Sequence, residues 1–94
     1  MLFAEKIKHL REEKQLLQRQ LAAILEIDTP MYSKIERGDR RAKREQIPII
    51  AEFLQTDEKE LLSFWLADQV TEVVENDKDM SETVLNIAKQ KLNE

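Results

Sequence analysis

Between Lys34 and Arg44 the chain places six basic side chains, Lys34, Arg37, Arg40, Arg41, Lys43 and Arg44, with only Glu36 and Asp39 among them. Over a Debye length of about 8 Å that density presents a local positive potential, which suits holding phosphate oxygens rather than catalysis. Residues able to carry a reaction are scarce. His9 is the only histidine, sits between Lys8 and Leu10, and has no cysteine and no serine triad to work with. Acidic residues are numerous but none falls in an EF-hand spacing, and a single glycine, Gly38, leaves no glycine-rich phosphate cradle. These residues argue for no enzyme, no metal and no cofactor.

The formal net charge of -4 is at odds with phosphate binding until its distribution is read. Residues 1–48 hold eleven Lys/Arg against eight Asp/Glu, whereas residues 49–94 hold four against eleven. The halves, at +3 and -7, are suited to different tasks. Ninety-four residues fit one domain with a modest core. Without cysteine that core has no disulfide staple, and the composition fits a cytoplasmic protein. The opening MLFAEKIKHLREEK turns charged within five residues, so neither a signal segment nor a membrane span is expected.

The elements that must position the basic run are all helical. Leu2, Phe3, Ile7 and Leu10 recur at helical spacing and predict a first helix ending near Gln15. A short second helix reads Gln18 to Leu25, burying Leu21, Ala22 and Leu25. Asp28 or Thr29 can cap a third, which tolerates Pro30 in its first turn and stops at Gly38. Two short helices joined by about three residues form a helix-turn-helix, whose second member is shaped to enter a major groove. A fourth helix, roughly Gln46 to Leu54, carries Pro48 in its first turn and buries Ile47, Ile50, Ala51 and Leu54. Thr56 or Asp57 caps a longer fifth, and after the polar cluster Asn76 to Asp79 a sixth repeats the pattern with Val84, Leu85, Ala88 and Leu92. The predicted fold is all-α, with a helix-turn-helix core over 1–57 and C-terminal helices over 58–94, read as a hairpin that packs on the core.

In the third helix, spacing groups Thr29 with Ser33 and Arg37, and Pro30 with Lys34, while Ile35 and Tyr32 turn inward. Thr29, Pro30, Ser33 and Lys34 are therefore the expected base-reading set. Lys34 can donate to guanine, and Pro30 or the Thr29 methyl can press on a thymine methyl. Arg37, Arg40, Arg41 and Lys43 should bracket the groove through phosphates. Gln18 and Arg19, opening the second helix, belong with them.

The stretch Gln18-Arg19-Gln20-Leu21-Ala22, followed by Tyr32-Ser33-Lys34-Ile35-Glu36-Arg37-Gly38, resembles the phage-repressor-like, or Xre-type, helix-turn-helix family over roughly residues 3 to 62. The resemblance implies five helices, dimers on operator half-sites, the third helix as reader, an internal ion pair between Arg11 and Glu36, and Arg44 reaching the minor groove. Two positions depart from the family. Glu26 stands where a glycine usually makes the turn, which implies either a strained left-handed backbone or a rearranged turn. Pro30 replaces a polar base-reading side chain.

The fifth helix carries more apolar surface than one small neighbour covers. Leu62, Trp65, Leu66, Val70 and Val73, with Leu85 of the sixth, are the expected dimer interface, and the acidity of this half keeps it off the DNA. The leading expectation is a homodimeric DNA-binding regulator, nearest in architecture to restriction-modification controllers. The alternative is an antitoxin-like interaction module whose C-terminal hairpin binds a partner protein.

Overall fold

A computed structural model describes the whole chain, Met1–Glu94, as six α-helices joined by short turns, with no strand. They are α1 (Leu2–Glu13), α2 (Gln18–Ile24), α3 (Thr29–Glu36), α4 (Ile47–Leu54), α5 (Glu58–Val74) and α6 (Ser81–Leu92), with single 3-10 turns at Arg44–Gln46 and Lys78–Met80. No helix is long and apolar enough to cross a membrane.

The first four helices end alike. Each is followed by a left-handed residue, Gln15 (φ 58), Glu26 (φ 57), Gly38 (φ 81) or Gln55 (φ 54). The next N–H then reaches five residues back, Leu16 to Arg11, Ile27 to Ala22, Asp39 to Lys34 and Thr56 to Ala51, at 2.9–3.1 Å. This is the Schellman stop, and it satisfies carbonyls that the helix end leaves free. Only one of the four uses glycine. At Glu26 the choice left open by the sequence falls to the left-handed backbone in a non-glycine residue. Gly38 is fixed twice over, since a Cβ there would also lie 3.2 Å from the Met1 side chain.

Two helix starts are capped by aspartates next to them in sequence. Asp28 accepts from Met31 N at 2.7 Å and opens α3, with Pro30 beside it, and Asp57 accepts from Glu60 N at 3.0 Å and opens α5. The start of α1 is capped from afar. Asp68 of α5, almost fully buried, accepts from Leu2 N at 2.9 Å and from Phe3 N at 3.0 Å. Its charge sits against the positive end of the α1 dipole, which ties the two helices in register.

The core draws on α1 to α5: Phe3 and Ile7; Leu21, Ala22 and Leu25; Tyr32 and Ile35; Ala42 of the loop; Ile47, Ile50, Ala51 and Leu54; and Leu61. Leu2, expected on the buried stripe of the first helix, is instead 48% exposed, because the face that meets α5 is made by Phe3, Ala4 and Ile7.

Helix α5 has two apolar faces. Leu61, Phe64, Trp65 and Asp68 turn toward the core, while Leu66, Val70 and Val73 are exposed on the opposite side. Two residues of the expected dimer stripe also meet the core of their own chain. Trp65 packs on its own core and its indole N–H donates to Ala42 O at 2.8 Å, and Leu62, at the edge, is half-buried against the same core. The second C-terminal helix is the least covered of the six. None of its residues is buried and no other helix packs along it. The radius of gyration, 15.2 Å, exceeds the roughly 12 Å of a compact chain this long.

Candidate nucleic-acid interface

Helix α3 lies on α2 and α1 and buries Tyr32, Ile35 and Glu36. With that face inward, a period of 3.6 residues places Thr29, Pro30, Ser33, Lys34 and Arg37 on the outer arc. Thr29, Pro30, Lys34 and Arg37 are exposed and Ser33 is half-buried. Arg37 is not loose. Its Nη1 donates to Ser33 Oγ at 3.1 Å and its Nε to Asp39 Oδ2 at 3.1 Å, so the guanidinium at the end of α3 is held between two neighbours.

Beneath that surface lies the bond set that holds α3 in place. Arg11 grips Glu36 by both ends of the carboxylate, Nη2 to Oε1 at 2.7 Å and Nε to Oε2 at 2.9 Å, and its Nη1 donates to Leu16 O at 2.9 Å. Gln18 Nε2 approaches Glu36 Oε1 at 3.4 Å. Burial alone would raise the pKa of Glu36, but the Arg11 guanidinium, with the neighbouring Tyr32 and Gln18 side chains, outweighs it and holds the carboxyl below its ordinary range. The Glu36 carboxylate raises Arg11 in turn. Tyr32, fully buried nearby, is pushed up, first by burial and then by the Glu36 charge, and stays a neutral phenol. One carboxylate thus joins α1, the start of α2 and the end of α3. The orientation of Gln18, expected at a phosphate, is set by this charge, while Arg19 next to it is exposed and free of ion pairs.

The loop after α3 presents Arg40, Arg41, Lys43 and Arg44 to solvent around one buried residue, Ala42, which Trp65 anchors. Lys43 N donates to Gln46 Oε1 at 2.8 Å, closing the turn into α4. Arg41 reaches across to Glu72 of α5 and pairs with it. Glu72 was not a site candidate from sequence, nor was Asp68. Asp68 lies three residues after Trp65 on the core-facing stripe of α5, where a buried acid is unusual and is the one signal the sequence offered; Glu72, one turn further on, is exposed and nothing in the sequence marks it.

The space beside Trp65 and Gly38 amounts to about 10 Å³, enough for at most one water and not for an organic ligand. His9 is exposed and faces Glu13 at 3.1 Å, an ordinary surface pair.

A protein-family model described as helix-turn-helix matches residues 7–61, more than half of the chain. No curated protein and no solved structure matches it.

Proposed function

The chain belongs to the Xre-like helix-turn-helix family of DNA-binding transcription regulators, and on that premise we propose that it acts as a homodimer on a two-fold-symmetric operator, with α3 in the major groove of each half-site. The observation that carries this is the division of α3. Its inner side is locked by Glu36 and Ile35, while Thr29, Pro30, Ser33 and Lys34 face outward directly ahead of an exposed basic loop.

In this reading Lys34 reads guanine, Thr29 and Pro30 contact thymine methyls, and Ser33, steadied by Arg37, completes the set. Good contacts of this kind are each worth about 1–3 kcal/mol of discrimination. Gln18, Arg19, Arg37, Arg40, Arg41, Lys43 and Arg44 hold phosphates, and two copies place their readers about 34–36 Å apart. Pro30 donates no hydrogen bond, so its contribution to specificity is shape and apolar contact. Among kinds of regulator, a helix-turn-helix core followed directly by two further helices suits a restriction-modification controller. The unburied α6 favours a second reading, an antitoxin-like module that holds another protein; isolation of a stable hetero-complex with a protein encoded alongside it would select that one.

The phosphate part has a direct test in a salt titration of duplex binding. Lys43→Ala should weaken all duplexes alike and lower the slope of log affinity against log salt by about one. Glu72→Gln should act oppositely, releasing Arg41 from its carboxylate and strengthening binding several-fold at low salt, with the gain fading as salt rises. Slopes unchanged by either substitution would place the basic loop off the DNA.

A further inference from the structure

We propose that α6 is the surface on which the chain pairs with itself, lying antiparallel to α6 of a second copy across a two-fold axis. This rests on the homodimer reading above and names the surface that serves it. Along one side α6 carries Val84, Leu85, Ala88 and Leu92, and none of them is buried. Leu85 is 39% exposed and Leu92 84%. A free helix of about this length is marginal in water, and an amphipathic one is held by whatever covers its apolar side. No other helix of the chain lies along it.

Charge selects the occupant and its direction. The leading end of α6 is acidic, with Asp77, Asp79 and Glu82 against Lys78, and the trailing end carries Lys89 and Lys91 before Glu94. A parallel copy would set acid against acid and lysine against lysine. An antiparallel copy sets each end against its complement. The register follows from the apolar positions. With Leu85 and Leu92 at a and Ala88 at d of a heptad, Glu82 and Lys89 both fall at e, and in an antiparallel pair e faces e of the other helix. Glu82 of each copy then meets Lys89 of the other, and two-fold symmetry makes the contact twice. Neither side chain has an ion-pair partner within its own chain, whereas Lys91 is already paired with Glu94 at 2.9 Å.

Sedimentation equilibrium on the full chain tests this, with circular dichroism checking that each variant keeps its helix content. Glu82→Lys and Lys89→Glu should each weaken the dimer about tenfold, because two attractive contacts become repulsive. The double variant, with both charges reversed, should regain the wild-type constant, and so should a mixture of the two single variants, in which every facing pair is again complementary. A wild type that stays monomeric, a dimer indifferent to the single variants, or single variants that neither the double nor the mixture rescues would each overturn the proposal. The regulator reading fails separately. A chain that dimerises through α6 yet selects no DNA sequence would remove that reading and leave this one in place, and a symmetric DNA motif from a dimer indifferent to α6 would do the reverse.

Discussion

Glu36 is a carboxylate whose side chain is 1% exposed in a small protein, and what keeps it charged also fixes the reader helix. Removing one partner of a buried ion pair strands the other, at a cost of about 3–5 kcal/mol, whereas replacing both with apolar or neutral groups of similar size costs far less. Arg11→Met should therefore destabilise by about 3 kcal/mol, and Arg11→Met with Glu36→Gln by clearly less, in urea unfolding. The pair also sets an acid limb. Because the folded pKa of Glu36 is depressed, the folded state binds fewer protons, so its contribution is complete above the ordinary value near 4.5 and is lost as pH falls through the lower folded value. Between about pH 5 and pH 3 the double variant should lose less stability than the wild type; equal losses would mean that other carboxylates govern acid unfolding. Arg11 and Glu36 were legible only through family resemblance. Periodicity alone gives an arginine on one helix and a glutamate on another, with nothing to bring them within 3 Å. Glu72 and Asp68 were missed for a related reason, since their partners are a loop arginine and the backbone of Leu2 and Phe3, to which no spacing rule points.

The helices themselves were legible almost to the residue, from the apolar period throughout and from local caps at α3 and α5. Asp28 before Pro30, Asp57 before an acidic first turn, and Gly38 after Arg37 are local signals that packing did not override. The stops after α1, α2 and α4 were less legible, as Gln15, Glu26 and Gln55 have no preference for the left-handed region they occupy. Packing imposes it. Leu16 and Ile27, the residues after two of these stops, lie against the core, and their burial offsets the strain. A left-handed non-glycine residue costs roughly 1–2 kcal/mol, against which glycine loses about 0.4–1 kcal/mol through the unfolded chain. Glu26→Gly should thus stabilise by about 0.5–1 kcal/mol in thermal or urea unfolding, with DNA binding intact. Destabilisation would mean that the turn carries no strain and that the Glu26 side chain matters in itself.

At the scale of the molecule, charge and shape divide the labour. The basic loop and the outer face of α3 stand at one part of the surface, and the acidic half ends in a helix that the core leaves uncovered. The charge division could be read directly from sequence, as could the excess apolar surface of the C-terminal helices. Which of its residues the chain keeps for itself could not, because Trp65 and Val70 belong to one amphipathic pattern and only the fold sends the first inward to Ala42 and leaves the second in solvent. The central claim, a two-fold reader that sees bases through α3, is tested most directly by selecting bound duplexes from a randomised library with wild-type chain and with Lys34→Ala. The expected result is a two-fold-symmetric motif with half-sites about one helical turn apart, and relaxation in Lys34→Ala at one position per half-site. No enriched motif, or a motif untouched by Lys34→Ala, would contradict it.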